Sequence, residues 1–294
     1  MRKLIMPVAF LLLVGCGPGE EEEDVEPMKP SARDGQIEAF DGVSIAYTVA
    51  GEGEGALLFI HGWACDRGYW TGQIDAFARR QKVVTVDLPG HGDSGLDRQD
   101  WTIRSFARDI QAVVDALELK SVVLVGHSMG GPVALDAARL MPDRIVGVIG
   151  VETLQNVESK YPDDWDDVMK ALEADFAGTC RQLVRSWFLE EADPELLTEV
   201  TADICAAPPR IATALMYTFP DYDFPGALSS AGVPVRTING SKWPTQVEIN
   251  RKYAPGFDAV IIEGTGHFPM LEKPEEFNRA LDRVVEELTT GVTI

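Results

Sequence analysis

One stretch, from Ser121 to Met141, constrains this chain more than any other. Ser121-Val122-Val123-Leu124-Val125 is an apolar, β-branched run of the kind a buried strand needs. Gly126-His127-Ser128-Met129-Gly130-Gly131 follows as a sharp turn, and residues 132–141 read as helix. A serine in a Gly-x-Ser-x-Gly turn between strand and helix is held in strained backbone, and the flanking small residues let the two elements approach closely. The Ser128 hydroxyl then stands above the carboxyl end of the strand, at a helix N-terminus that favours developing negative charge.

The segment resembles the nucleophile elbow of the α/β-hydrolase family. Three further stretches match that family in the expected order: Phe59-Ile60-His61-Gly62-Trp63, Asp87-Leu88-Pro89-Gly90-His91-Gly92-Asp93-Ser94, and Gly264-Thr265-Gly266-His267-Phe268-Pro269-Met270-Leu271-Glu272. The resemblance covers residues 36–294. It implies an α/β fold with a mostly parallel central sheet flanked by helices, and a helical cap inserted after the strand that ends near Glu152. Hydrophobic patterning agrees with such a fold. Residues 43–49 alternate as a half-buried strand does, and residues 56–60, 82–87, 145–151, 233–238 and 259–262 read as further strands. Residues 69–80, 103–117, 247–253 and 274–289 read as helices. Between residues 153 and 226 apolar residues recur at helical spacing with no strand among them. The expected organisation is therefore a hydrolase core in two parts, 37–152 and 227–294, around a cap at 153–226.

A serine hydroxyl needs a base, an acid that orients the base, and donors for the oxyanion. The family pattern implies Ser128 as nucleophile and His267 as base. His127, the rival base, is expected to leave the elbow on the side away from the Ser128 hydroxyl. His61 and His91 are expected to satisfy hydrogen bonds in their own loops. The backbone N–H groups of Met129 and Trp63 would form the oxyanion hole, with the Trp63 ring walling the acyl pocket.

The acid departs from the family pattern. Most members carry it after the next-to-last strand as Gly-x-x-Asp, but here Gly240 is followed by Ser241-Lys242-Trp243, and no carboxylate lies between Val233 and Gln246. Some members place it after the preceding strand, where Val148-Ile149-Gly150-Val151 ends in Glu152. Glu152 is the assignment, with Glu248 and Asp223 in reserve. A serine at the elbow, where dehalogenases and epoxide hydrolases of the fold carry aspartate, points to acyl transfer to water. The expected activity is cleavage of a small carboxylic ester through an acyl-enzyme, with no cofactor and no metal. Lactone or C–C bond hydrolysis by the same residues, and a binding protein that has lost activity, are the alternatives. Trp187, Phe188 and Phe219 suggest an apolar pocket.

The amino terminus reads as a targeting segment. Arg2 and Lys3 precede an apolar run ending in Leu13-Val14-Gly15-Cys16, which resembles the lipobox of bacterial lipoproteins. Residues 1–16 are then a signal peptide, Cys16 is lipidated, and residues 17–36, with their run of acidic residues and prolines, form a disordered tether of about 25 Å. The expected location is the bacterial cell envelope, anchored to a membrane and facing the periplasm or exterior. In that oxidising setting Cys180 and Cys205, 25 residues apart within the cap, are expected to pair and leave Cys65 free. The formal net charge of −21 argues against nucleic acid as a partner. No sequence feature fixes an oligomeric state.

Overall fold

The computed structural model describes residues 31–160 and 164–291. The first half of these residues forms strands β1 (Arg33–Glu38), β2 (Ser44–Ala50), β3 (Gly55–Ile60), β4 (Lys82–Val86), β5 (Ser121–His127) and β6 (Ile145–Val151). Helices α1 (Thr71–Phe77), α2 (Ile103–Ala116) and α3 (Gly130–Leu140) lie between them. Among the described residues five helices then follow without a strand: α4 (Trp165–Ala174), α5 (Phe176–Trp187), α6 (Pro194–Ile204), α7 (Pro209–Met216) and α8 (Phe224–Ser229). The chain closes with β7 (Val235–Gly240), α9 (Val247–Asn250), β8 (Asp258–Ile262), α10 (Pro269–Glu272) and α11 (Pro274–Thr289).

The strands make one sheet in the order β1-β2-β4-β3-β5-β6-β7-β8. The β1–β2 and β2–β4 pairs are antiparallel and the other pairs parallel. Every residue of β3 is buried, as are all but the first of β5. Their continuous apolar runs are what a strand covered on both faces requires. Burial of each Val, Leu or Ile there contributes about 1.5–3 kcal/mol. Helices α2 and α3 pack on each other, as do α1 and α11, which gives the sheet its two helical layers. A buried Arg98 joins the β1–β2 turn to α2, donating to Asp41 at 2.8 Å and to Asp109 at 2.5 Å.

Register sets the site. Ile60, Gly126 and Gly150 lie side by side across β3, β5 and β6, and Val151 pairs with Ile238 on β7. The loops that leave the carboxyl ends of these neighbouring strands therefore emerge level with one another, where open α/β sheets carry their ligands.

Two expected boundaries move. The first strand begins at Arg33, inside the stretch assigned to the tether, and pairs with β2 over its whole length. As a largely exposed, polar edge strand it has no apolar run to announce it. The helical insertion extends to Ser229 rather than 226, because Asp223 accepts the Gly226 N–H and starts one more helix with Pro225 in its first turn. The signal segment, Cys16 and tether residues 17–30 lie outside the described residues.

Candidate active site

At the end of β5 the chain turns sharply, and Ser128 takes φ = 50°, the left-handed region that a side chain with a Cβ rarely occupies. The Ser128 N–H is held by the Val151 carbonyl at 2.9 Å, and its own carbonyl accepts the Gly131 N–H at 3.0 Å as α3 begins. A Cβ at Gly126 would collide with the Gly130 carbonyl, so that glycine is the condition for strand and helix to meet. Across the turn, a Cβ on Gly62 would lie 2.7 Å from His127 Nδ1 and 3.2 Å from the Ser128 Cβ. The loop after β3 is thus pressed against the elbow. Among the described residues, neither the Met129 nor the Trp63 backbone N–H has a hydrogen-bond partner.

His267 arrives from the loop after β8. Its backbone N–H donates to the Trp187 carbonyl at 3.0 Å, and Gly266 leaves no room for a Cβ against that same carbonyl. The end of α5 therefore fixes the histidine loop. The His267 ring packs 5.3 Å from Trp187, 4.8 Å from His127 and 5.8 Å from Trp243. Its Nδ1 lies 3.2 Å from Oε2 of Glu152, across 115 residues of chain.

Glu152 directly follows β6 with φ = 48° and is 2% exposed. Its Oε1 accepts the Gly240 N–H at 2.6 Å, while Oε2 accepts the Gln155 side-chain amide at 3.1 Å beside His267. Burial pushes Glu152 up to about 8 and His267 down to about 4, since each loses hydration of its charged form. The Gly240 and Gln155 donors pull Glu152 back toward ionisation. The loop that carries it is clamped by two buried asparagines. Asn239 exchanges hydrogen bonds with Thr153 at 3.2 Å, and Asn250 accepts from Val157 at 3.1 Å and donates to the Leu154 carbonyl at 2.5 Å.

Neither reserve carboxylate takes part in this arrangement. Glu248 is exposed and pairs with Arg251 at 2.6 Å, and Asp223 caps α8. His61 Nδ1 lies 2.7 Å from the Gly62 carbonyl in its own loop while its Nε2 accepts the Leu88 N–H of the loop after β4 at 2.9 Å, and His91 sits 3.2 Å from the Pro89 carbonyl within its loop. His127 Nε2 meets the His267 carbonyl at 2.8 Å, so this ring supports the His267 loop from below. Cys180 and Cys205 are joined by a disulfide between α5 and the end of α6, and Cys65 is free and buried.

Ser128, Glu152 and His267 line a single cavity of about 580 Å³. Met129, Pro132, Leu154, Trp187, Phe219, Phe224 and Trp243 supply apolar wall, and Gln155, Asn156, Gln246 and Lys160 supply polar wall. The Trp63 ring does not line it, contrary to expectation. That ring is buried under the helical insertion, where its Nε1 donates to the Ala212 carbonyl at 2.8 Å. Phe188 is likewise withdrawn, stacked 5.3 Å from Phe268. Sequence reasoning missed Gln155, Asn239, Asn250 and the Gly240 N–H. Only the Asn239-Gly240 pair, closing an apolar strand, carried any signal.

Residues 57–280 match the family described as the alpha/beta hydrolase family. The dihydrolipoyllysine-residue acetyltransferase component of the acetoin cleaving system of Cupriavidus necator is 27% identical over 262 residues, covering 84% of this chain and 68% of that protein. The pimeloyl-[acyl-carrier protein] methyl ester esterase of Yersinia pseudotuberculosis is 29% identical over 264 residues, covering 81% of this chain and 95% of that one. A solved N-acyl homoserine lactone degrading enzyme superposes with a TM-score of 0.74 at 28% identity, covering 84% of this chain and 99% of its own.

Proposed function

The chain belongs to the alpha/beta hydrolase family, and we propose that it cleaves carboxylic esters of modest size through an acyl-enzyme on Ser128. The observation that carries this reading is the contact of His267 Nδ1 with the buried Glu152 carboxylate, 3.2 Å apart, in the cavity lined by Ser128. As Ser128 Oγ attacks the ester carbonyl carbon, its proton passes to His267 Nε2. Glu152 accepts the Nδ1–H, fixes the tautomer and stabilises the imidazolium that forms. The carbonyl oxygen, now negative, is received by the Met129 and Trp63 N–H groups, which have no other partner among the described residues. The same proton moves to the departing alkoxide as the C–O bond breaks. Water, giving its proton to His267, then releases the acid and restores Ser128.

The names of the relatives support acyl chemistry: one is a methyl ester esterase and another degrades a lactone, which is an internal ester. The latter favours lactone opening as the second reading. A panel of linear esters and lactones distinguishes the two by kcat/KM. The test of the chemistry itself is labelling with a fluorophosphonate. Wild type should be modified at Ser128, and Ser128→Ala should resist labelling and lose at least about 10⁴-fold in turnover. A wild-type protein that neither labels nor hydrolyses any panel member is a binding protein on this fold.

The second part of the reading concerns place. Leu13-Val14-Gly15-Cys16 and the acidic stretch behind it support an envelope lipoprotein tethered through Cys16. One acyl chain binds a membrane marginally and several bind it stably. Cys16→Ser should shift the protein to the soluble fraction or block its processing. An unmodified Cys16 with unchanged membrane fractionation would rule the anchor out.

A further inference from the structure

Among the described residues, Glu152 is held by hydrogen-bond donors and is paired with no Lys or Arg. A carboxylate 2% exposed has lost the water that stabilises its charge, and hydrogen bonds are what remain to replace it. The Gly240 amide is backbone and His267 is the group being served. Among the described residues, the Gln155 amide, 3.1 Å from Oε2, is therefore the one other side chain hydrogen-bonded to this carboxylate. We propose that Gln155 is a positioning residue for this site: its amide holds Oε2 of Glu152 against His267 and sets the pH at which the pair becomes competent. The inference rests on the Ser128–His267–Glu152 reading above and extends it.

The geometry gives Gln155 a role separable from folding. Its backbone carbonyl accepts the Gln246 N–H at 2.6 Å, and the loop around it is held by Asn239 and Asn250. None of these contacts uses the Gln155 side chain, which lines the cavity half-buried. Both Gln155 and His267 meet the same oxygen. Gln155 thus directs the lone pairs of Oε2 as well as stabilising its charge. The other titratable groups around the pair are His127 at the end of β5, Glu272 on α10, Lys242 after β7 and the exposed Lys160 on the cavity wall. His127 is bonded to the His267 carbonyl, Glu272 accepts the Gly266 and Phe268 N–H groups, and Lys242 donates to the Phe188 carbonyl. None of these contacts involves Gln155.

The site works when Glu152 is ionised and His267 neutral, so kcat/KM should rise with pH along one acidic limb. Removing a donor disfavours the anion and moves that limb up; adding a cation moves it down. The experiment is the pH profile of kcat/KM on a simple activated ester for wild type, Gln155→Met and Gln155→Lys, with thermal melts of each. Gln155→Met should shift the midpoint up by about one pH unit, a roughly tenfold loss on the limb. Gln155→Lys should shift it down. A role confined to folding would lower the whole profile and leave the midpoint in place. Midpoints unmoved in both variants, or moved in the same direction, overturn the proposal. Should Gln155→Met fail to fold, Gln155→Lys decides alone, and an unmoved or raised midpoint overturns it. Wild type that is not labelled by fluorophosphonate sinks the underlying reading and this inference together. Labelled wild type with unmoved midpoints sinks this inference alone.

Discussion

At the scale of single residues, the carboxylate that meets His267 comes from an unusual place in the chain. Position 243, where the family pattern expects a carboxylate, holds Trp243, whose ring stands edge-on to His267 at 5.8 Å. The carboxylate comes instead from Glu152, one strand nearer the nucleophile in the sheet. Glu152→Gln keeps the volume but can present an N–H₂ to the imidazole and favour the wrong tautomer. Turnover on a simple ester should then fall roughly 10²–10⁴-fold with folding intact, the scale seen when an acid of this kind becomes an amide. Glu248→Gln and Asp223→Asn should leave turnover nearly unchanged, since one carboxylate pairs with Arg251 in solvent and the other caps α8. A large loss at either position, or none at Glu152, would send the assignment elsewhere. Glu152 was legible in the sequence because it is a charge ending an apolar run. Gln155, Asn239 and Asn250 were not, because their partners are defined only when loops meet: Asn239 finds Thr153 across 86 residues and Asn250 finds Val157 across 93.

At the scale of elements, the buried strands and the elbow could be read directly, since apolar runs and a glycine-bounded serine have few other uses. What could not be read is how the helical insertion touches the chemistry. The carbonyl of Trp187, at the end of α5, holds the backbone of His267. Helix α5 is in turn fastened to α6 through Cys180–Cys205, a link spanning 25 residues. Closing a loop of that length removes chain entropy worth about 3 kcal/mol from the unfolded state. The double variant Cys180→Ala, Cys205→Ala should therefore lose about 3 kcal/mol of unfolding free energy in urea. A loss under about 1 kcal/mol would mean that the insertion unfolds independently of the sheet, so that constraining it leaves global stability untouched. The edge strand β1 shows the opposite limit of legibility: polar, largely exposed and held by ladder bonds to β2, it has a partner but no pattern.

At the scale of the whole molecule, burial of charge-capable groups dictates how stability responds to acid. The sequence has four histidines; His61, His91 and His127 are buried, and the His267 side chain is only 14% exposed. Burial pushes His61 and His267 down to about 4 and His91 to about 3, and holds His127 well below its ordinary value. Each depressed histidine contributes stability that is present above its unfolded value of 6.5 and lost as pH falls toward its folded value. Buried acids act with the opposite sign. Burial raises Glu152 to about 8 and Asp109 to about 6, and also raises Glu272, Asp66 and Asp203. Their contribution is complete at low pH and fades as pH rises through the folded values. Stability should thus be greatest between the histidine value of 6.5 and the Glu152 value of about 8. Below that window four histidines take up protons on unfolding against the smaller number that the acids release, a net uptake of roughly one to two protons. The unfolding free energy should therefore fall by about 2 kcal/mol per pH unit between pH 6.5 and 5. The net charge of −21 pulls the other way, since acid relieves repulsion, but that term is spread over the surface and screened beyond about 8 Å in 0.15 M salt. Buried imidazoles enjoy no such screening, so they should win. Urea unfolding at pH 7.5, 6.5 and 5.5 in that salt measures the slope. A flat or rising stability would show that the histidines take protons without unfolding. His267 would then be charged at mildly acidic pH and unable to serve there as the base of the proposed reaction.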